Sequence, residues 1–382
     1  MKILITTDLF TTATNGVVTS VKNLYEELRQ KGHDVRILTL SESVCSHNDD
    51  VVYYIRSMPI GVYPDIRMPL SYRHSLIKEL INWKPDVIHS QCEFFTMQYA
   101  KRISKLTGAP IVHTYHTMYE QYVSYAVPGR RLGKWIVRYL THKLLTKVTL
   151  VVVPTSKMEK VLNGYALDKP ICIVPSGICL EQHKKRFSEE TRHSKRVRLG
   201  ISDEQLVLIN LGRLGMEKNL EELLHIFAKA RVSNDKLVLL IVGDGPAKGQ
   251  LERKVDNLGI SDSVIFTGMV EPSEVQDYYQ LGDVFVSAST SETQGLTYIE
   301  AAANGLPLLC RQDPCLTGVI SQGENGFEYT CEEDFLDALD VIFENPEWRI
   351  TAGKRSEEKA AIFDRATFGN TMEKIYNSVL QR

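Results

Sequence analysis

Short runs of β-branched and aliphatic residues alternate with amphipathic stretches along nearly the whole chain. In the first half these runs predict strands over 3–6, 35–40, 51–55, 87–89, 111–114, 150–153 and 171–174. The amphipathic stretches predict helices over 17–31, 75–82, 96–106, 132–147 and 157–162. Apolar strands separated by helices are typical of a parallel sheet covered on both faces. Right-handed crossovers then make the sheet doubly wound.

The same alternation resumes after residue 200. It predicts strands over 206–211, 237–242, 264–266, 284–287 and 307–310, and helices over 220–230, 248–258, 273–281 and 296–304. Between the halves, residues 181–198 are highly charged and Val197 is their only aliphatic residue, which is typical of a linker.

We therefore predict an α/β protein with two Rossmann-like, doubly wound domains that face each other across a cleft. The predicted bounds are 1–174 for the first domain, 175–200 for a hinge and linker, 201–362 for the second domain, and 363–382 for a C-terminal helix that packs back on the first. Ligands of such sheets bind at the carboxyl ends of the strands.

Composition agrees with two ordinary globular domains. The 382 residues are 43% hydrophobic and 24% charged, which argues against disorder. The longest aliphatic run, 237–242, is far shorter than the roughly 20 residues of a membrane span. The chain passes directly into a strand pattern and its seven cysteines form no CxxC pair, so we expect reduced thiols in the cytoplasm.

The charge is distributed unevenly. Residues 1–170 contain 22 Lys and Arg against 14 Asp and Glu, whereas residues 171–382 contain 23 against 33. This asymmetry indicates that the first half meets an anionic surface or ligand. No nucleic-acid motif accompanies it, so we expect no nucleic-acid partner.

Two loops of the second half have residues suited to an anionic ligand. Glu292 and Glu300 lie eight residues apart in SETQGLTYIEA, where a strand leads into a helix near Gly295. The first N–H groups of that helix can bind an anion, and Glu300, one turn later, can reach a ribose diol. In GRLGMEKN, Arg213 and Lys218 leave the end of a strand together, which favours a diphosphate over a merely solvated loop.

Three further loops follow predicted strands. GDGPAKG, residues 243–249, has the spacing of a tight turn rather than of a dinucleotide motif. FTGMV, residues 266–270, places backbone groups around Met269 where they can read a base edge. In the first half, Gly16 allows close approach of an anion to a helix start, and His116 in HTYHTMYE follows strand 111–114 at a catalytic position.

Taken together, these motifs resemble those of the retaining GT-B glycosyltransferases of family four, which have an EX7E pair. They occur in matching order along essentially the whole chain, and within the family HTYHTMYE and RQDPCLTGVI are most similar to the bacterial diacylglycerol glucosyltransferases. The sequence departs from the family at Gly215 and Met216, where Ser or Ala followed by Lys is common, and at Cys179, where Asp is usual.

The resemblance implies a UDP-sugar donor, a nucleotide sugar that acts as co-substrate, and no cofactor or metal. The absence of a DxD pair from the sequence agrees with metal independence. The implied catalytic residues are His116, Glu292, Arg213 and Lys218. The implied nucleotide-sugar-binding residues are Gly16, Arg213, Lys218, Met269, Glu292, Gly295, Leu296, Thr297 and Glu300.

Residues 130–147 form a basic amphipathic stretch with six Lys and Arg and no acid. Such a helix either lies in a membrane interface or packs its apolar stripe on the sheet. The positive first half favours the membrane. The predicted membrane-binding residues are Arg130, Arg131, Lys134, Trp135 and Arg138.

We therefore expect a hexosyltransferase that acts on a lipid acceptor, diacylglycerol or a glycosyl-diacylglycerol, with an α product, as a peripheral protein on the inner face of the cell membrane. Three alternatives stay open: a transferase with a soluble acceptor, a UDP-sugar epimerase on the same scaffold, and a non-catalytic nucleotide-sugar-binding subunit. The hexose and the oligomeric state are not indicated by the sequence.

Overall fold

The computed structural model describes residues 1–10, 15–43, 45–60, 67–118 and 130–381, without the side chains of residues 130–132 and 134. Its contacts divide the chain into two compact domains. The first comprises Met1–Ile178 together with Arg365–Arg382, and the second comprises Cys179–Asp364.

The strands are short, and the central strands of each sheet are buried. The strands are β1 Lys2–Thr6, β2 Asp34–Ser41, β3 His47–Asp49, β4 Val52–Pro59, β5 Arg67–Pro69, β6 Val87–Ser90, β7 Ile111–Thr114, β8 Leu150–Val153, β9 Ile171–Ile173, β10 Leu206–Leu211, β11 Leu237–Val242, β12 Val264–Phe266, β13 Val284–Ser287, β14 Leu308–Arg311 and β15 Gly326–Tyr329.

Helices connect most of them. They are α1 Gly16–Gln30, α2 Ser75–Trp83, α3 Phe95–Thr107, α4 Arg130–Leu145, α5 Ser156–Gly164, α6 Leu180–His183, α7 Glu189–Arg198, α8 Leu220–Ser233, α9 Lys248–Leu258, α10 Val275–Tyr279, α11 Leu296–Ala303, α12 Glu332–Glu344, α13 Pro346–Ala360 and α14 Arg365–Leu380.

The first domain is a three-layer sandwich around a mainly parallel sheet. The strand order is β3-β4-β2-β1-β6-β7-β8-β9, with β5 paired to β4. One apolar cluster joins the sheet to α2, α3, α4 and α5, and another joins its opposite face to α1 and α14. The C-terminal helix α14 thus completes the core of the domain in which the chain begins.

The second domain contains a six-stranded parallel sheet in the order β12-β11-β10-β13-β14-β15. The central strands β10 and β11 are apolar almost throughout, because both faces are covered. Helices α8, α9 and α12 pack on one face through a single apolar cluster.

The prediction of a linker over 175–200 is wrong for most of that segment, since α6 and α7 belong to the second domain. Helix α7 is held by charge rather than by apolar packing. The guanidinium of Arg196, only 2% exposed, donates to the Leu281 carbonyl at 2.7 Å and to Asp283 at 2.8 Å. Arg192 donates to the other oxygen of the same carboxylate at 2.6 Å.

Candidate active site

The strand order of the second domain reverses between β10 and β13, which pair directly in parallel. Doubly wound sheets bind ligands at the carboxyl ends of the strands where the order reverses. The loops that leave β10 and β13 at this point are residues 212–219 and 288–295. They contain Arg213, Lys218, Glu292 and Gly295, four of the predicted site residues.

Two glycines after β11 allow its loop to lie against the backbone of the Arg213 loop. A Cβ at Gly243 would approach the Gly212 carbonyl oxygen to 2.1 Å, and one at Gly245 would approach the Leu214 carbonyl oxygen to 2.5 Å. The Leu214 N–H donates to the Asp244 carbonyl at 2.9 Å. The GDGPAKG loop therefore lies in close backbone contact with the Arg213 loop, an arrangement that its spacing did not predict.

Both predicted diphosphate cations have carboxylate partners. Lys218 Nζ donates to Glu292 Oε1 at 2.5 Å, and Ser289 Oγ donates to the same oxygen at 3.1 Å. Arg213 forms an ion pair with Glu217, four residues on. The structure thus brings Lys218 and Glu292 together across the two loops, and an incoming anion would compete with these carboxylates for the cations.

The turn from β13 into α11 depends on a left-handed glycine. Gly295 caps α11 with a φ of 75°, and a Cβ there would meet the Tyr298 ring at 2.4 Å. Leu296 and Thr297 are the first residues of the helix. Their N–H groups are among those that lack an intrahelical acceptor, so this turn presents donors at the carboxyl edge of the sheet.

Glu300 lies in α11 and accepts a hydrogen bond from Tyr279. The Tyr279 hydroxyl lies 2.9 Å from Glu300 Oε2 and 3.3 Å from the Thr297 carbonyl. Burial raises the pKa of Glu300 to about 7, and the Tyr279 hydrogen bond acts in the opposite direction. Near neutral pH the protonation state of this carboxyl group therefore responds to small changes in its surroundings.

Met269 follows β12, at the same edge of the sheet but two strands away from β10. Its side chain is 70% exposed. The preceding Gly268 has a φ of 74°, and its carbonyl accepts the Gly243 N–H at 3.1 Å. The structure does not bring Met269 into contact with the Lys218–Glu292 pair.

The first domain has its own point of reversal, between β1 and β6. Gly16 begins α1 after β1, and the preceding Asn15 caps the helix by accepting the Val18 N–H at 3.0 Å. Asp8, also after β1, caps α3 by accepting the Thr96 N–H at 2.8 Å. Two helix starts therefore lie at the end of the sheet where the loops of a doubly wound domain bind ligands.

His116 lies two residues beyond β7 and is fixed by a residue that the sequence interpretation missed. Its Nε2 donates to Gln91 Oε1 at 2.6 Å. Burial is the main cause that lowers the pKa of His116 to about 4, so the ring is neutral at pH 7. A neutral ring that donates through Nε2 has Nδ1 as an acceptor for a hydroxyl group.

Gln91 itself belongs to a buried polar cluster after β6. Its amide nitrogen lies 3.1 Å from His89 Nε2, and the His89 ring also contacts Thr114 and Tyr376, each at 2.7 Å. Tyr376 comes from α14. The sequence signal was available, because HSQCEF ends a predicted strand beside the point of reversal, whereas the contribution of Tyr376 depends on tertiary packing.

Helix α4 exposes its aromatic residues. Trp135 and Tyr139 are 62% and 54% exposed, and their rings stack with centroids 5.8 Å apart. The buried positions lie four residues apart on another face, at Gly133, Val137, Thr141 and Leu145. The helix therefore packs on the sheet, but through this face and not through Trp135 and Tyr139. Arg138 is exposed, and the side chains of Arg130, Arg131 and Lys134 lie outside the described part.

The described residues contain neither a cluster of metal ligands nor a membrane-spanning helix. No group of three or more His, Cys, Asp or Glu residues in that part of the chain is arranged to hold a metal ion. Among the helices described, none has the length and apolar character needed to cross a membrane.

Two family models match the chain, one for each half. Residues 14–182 match Glycosyltransferase Family 4, and residues 191–359 match Glycosyl transferases group 1. The chain is 35% identical to the alpha-monoglucosyldiacylglycerol synthase of Streptococcus pneumoniae, over 91% of this chain and 79% of that protein. It is 30% identical to the enzyme of the same name from Acholeplasma laidlawii, over 100% and 98%.

The fold is also similar to solved structures. HepE of Anabaena, determined in complex with UDP-glucose, superimposes with a TM-score of 0.77 over 99% of this chain and 100% of that one, at 16% identity. At this identity the likeness concerns the fold alone. The family models and the two synthases confirm the resemblance found in the motifs: the chain belongs to the family 4 glycosyltransferases and has their GT-B fold of two Rossmann-like domains.

Proposed function

We propose that the protein transfers a hexose from a UDP-sugar to diacylglycerol or a glycosyl-diacylglycerol, with retention of configuration and an α-linked product. It acts at the inner face of the cell membrane. One observation carries the proposal: Lys218 lies beside Glu292 at the β10–β13 reversal, in a chain 35% identical to an alpha-monoglucosyldiacylglycerol synthase.

The donor site of the proposal lies in the loops after β10 and β13. Arg213 and Lys218 exchange their carboxylate partners for the two phosphates of the donor, and the N–H groups of Leu296 and Thr297 add uncharged donors. Released from Lys218, Glu292 accepts from hydroxyl groups of the hexose. Glu300 accepts from the ribose diol.

The transfer step needs stabilisation of the departing diphosphate. As the bond from the anomeric carbon to the phosphate oxygen breaks, negative charge grows beside Arg213 and Lys218. The acceptor hydroxyl oxygen attacks the same face of the sugar and gives its proton to the leaving phosphate oxygen. This route requires neither a second carboxylate nor a metal ion, unlike the double displacement of retaining hydrolases.

In this proposal, residues of the first domain bind the hexose and contact the membrane surface. Neutral His116 offers its Nδ1 to a sugar hydroxyl, and Gly16 admits the diphosphate at the start of α1. Trp135 and Tyr139 enter the headgroup region, where amphipathic aromatic rings are stable, while Arg138 meets lipid phosphates.

The test is product analysis. The protein is incubated with UDP-glucose, UDP-galactose or UDP-N-acetylglucosamine and with vesicles that contain diacylglycerol or monoglucosyl-diacylglycerol. We expect a glycolipid with an α anomeric signal by NMR, lost in Glu292→Gln and retained in Lys236→Ala, which removes an exposed cation before β11. Conversion of the UDP-sugar without acceptor would indicate an epimerase, binding without turnover a non-catalytic subunit, and transfer only to water-soluble compounds a soluble acceptor.

A chelator arm tests metal independence. Product formation should persist in excess EDTA, because Arg213, Lys218 and the α11 N-terminus supply the charge stabilisation. Loss of activity that Mg²⁺ or Mn²⁺ restores would contradict this part of the proposal.

A further inference from the structure

A second apolar surface lies in the first domain, away from α4. Strands β4 and β5 pair antiparallel, with Met58 opposite Met68. Beyond β5 the chain bends at Leu70 and Tyr72, and both apolar side chains are exposed. We call Met58, Met68, Leu70 and Tyr72 the strand face; Met68 is 40% exposed and Leu70 is 51% exposed.

The backbone beneath the strand face is firmly held. Arg67 donates to the Ser57 hydroxyl and to the Ser57 carbonyl, both at 3.0 Å. Tyr99, buried in α3, donates to the Ser71 carbonyl at 2.6 Å, and its ring lies 5.0 Å from that of Tyr72. The backbone that carries these side chains is therefore held in place at Ser57 and Ser71.

Two exposed arginines, Arg56 and Arg73, flank the strand face. The third arginine of this region, Arg67, is ion-paired with Glu42 at 3.3 Å. Exposed apolar side chains flanked by cations match the interface of an anionic bilayer, where the apolar groups reach the acyl boundary and the cations meet phosphates.

The strand face also lies at the same edge of the same layer as the aromatic residues of α4. Helices α2, α3 and α4 pack into one apolar cluster on one side of the sheet and begin at the carboxyl ends of its strands. Tyr72 precedes α2, exposed Phe94 precedes α3, and Trp135 lies in the second turn of α4. Exposed apolar residues therefore recur along this edge from β5 to α4.

The strand face borders the loop after β1 as well. The Tyr72 ring lies 5.0 Å from that of Tyr99 in α3, the helix whose first turn Asp8 caps. The apolar edge thus ends beside the β1–β6 reversal, where a doubly wound domain binds its ligand.

We propose that the strand face is a second lipid-contact surface, which inserts Met58, Met68, Leu70 and Tyr72 into the acyl boundary of an anionic bilayer beside the first-domain site. The inference rests on the proposed lipid acceptor. Contact at two separated points fixes the orientation of the first domain on the membrane, which one helix alone does not.

The test is co-sedimentation of the full chain with vesicles of phosphatidylglycerol and phosphatidylcholine at two salt concentrations. The variant is Met68→Ser/Leu70→Ser, whose two sites are exposed, and the matched control is Ile350→Ser/Ile362→Ser, with two exposed aliphatic residues of the second domain. We expect the variant to bind about tenfold more weakly or worse, and the control to bind like the wild type. The loss should persist at high salt, because apolar contacts are not screened.

The outcomes separate this inference from the proposed function. Equal vesicle binding by wild type and variant would contradict lipid contact by the strand face but not the proposed lipid acceptor. A wild type that binds no vesicles would contradict both proposals. A wild-type dimer that the variant converts to a monomer in sedimentation velocity assigns the strand face to a second copy instead. If the double variant does not fold, Leu70→Ser alone is compared with Ile362→Ser under the same criteria.

Activity gives an independent readout. The variant should lose turnover of a vesicle-embedded acceptor in proportion to binding, and stay within about twofold of wild type with a dispersed short-chain acceptor. A similar loss with both acceptors would contradict a membrane role.

Discussion

The two cations of the proposed donor site are paired with carboxylates. Lys218 contacts Glu292, and Arg213 contacts Glu217. These partners keep the side chains ordered at the carboxyl edge of the sheet and balance their positive charge until a stronger anion binds. A diphosphate offers more charge and more acceptor atoms than either carboxylate, so exchange of partners favours the donor.

The first prediction concerns these two cations. Arg213→Ala and Lys218→Ala should each reduce kcat by about 100-fold or more, since preorganised donors to a developing anion typically contribute that much. Steady-state kinetics and thermal unfolding measure the effect and the integrity of the fold. Lys236→Ala, at the opposite end of the sheet, is the control. Near wild-type kcat in both folded variants would contradict the diphosphate assignment.

The second prediction concerns pH and Glu300. If Glu300 binds the ribose as proposed, its ionised carboxylate is the form that accepts the hydroxyl groups, so KM for the UDP-sugar should fall as pH rises through about 7. The Tyr279 hydrogen bond favours the ionised form, so Tyr279→Phe should move this midpoint upward. A KM independent of pH from 6 to 8 in both proteins would exclude Glu300 from donor binding.

The same pKa has a consequence for stability. A carboxyl group whose pKa is raised in the folded state binds more protons there than when unfolded, so its contribution becomes unfavourable as pH rises from about 4.5 to about 7. Glu300→Gln should therefore raise Tm relative to wild type at pH 8 and change it little at pH 4.5.

At the scale of elements, one face of α4 anchors the helix on the sheet and another face is exposed. Val137, Thr141 and Leu145 hold the helix on the sheet, whereas Arg138 and Lys143 on the helix and Lys147 just after it are exposed. These cations can therefore be removed without disturbing the buried face of the helix. This separation makes the third prediction specific to the membrane.

Arg138→Ser/Lys143→Ser/Lys147→Ser should weaken binding to anionic vesicles by up to about 3 kcal/mol at low salt, at roughly 1 kcal/mol per cation, and by less at high salt. The matched control removes three exposed cations of the second domain, Lys236, Lys354 and Arg355. Equal losses in both variants would indicate unspecific attraction rather than docking through α4.

The sequence predicted the strands well because a strand covered on both faces must be apolar, as β10 and β11 are. Helix α7 was missed because it buries Arg196 against Asp283 instead of an apolar stripe. A signal existed, since Ser188 caps the helix, acids begin it and bases end it.

The site could be predicted only as far as topology determines it. Arg213, Lys218 and Glu292 follow neighbouring strands, so their proximity follows from the strand order. Their exact partners depend on loop conformation, and Tyr279 and Gln91 act on site residues from elements that no local pattern connects to them.

At the scale of the whole molecule, chain order and domain order differ. Helix α14 follows the second domain in the chain but packs in the first, where Phe368, Met372, Tyr376 and Val379 join the cluster under α1. Tyr376 also contacts His89 in the polar cluster that reaches His116 through Gln91. The first-domain site therefore depends on residues far away in the sequence.

The fourth prediction tests this dependence. Met372→Ala should destabilise the first domain by about 2–5 kcal/mol, the usual cost of truncating a buried Met. Leu380→Ala, on the same helix but exposed, should change stability by less than about 0.5 kcal/mol. Calorimetry measures both, and equal effects would show that α14 does not complete the core.

This arrangement determines the order in which the two domains can fold during synthesis on the ribosome. The second domain is one continuous segment and can fold as soon as it has emerged, whereas the first domain, synthesised earlier, lacks a complete α14 until translation has passed residue 380. Until then the apolar side of α1, with Val21, Leu24 and Leu28, has no cover from that helix. The domain made first is thus the last to be finished, and its apolar cluster stays incomplete throughout the synthesis of the other domain.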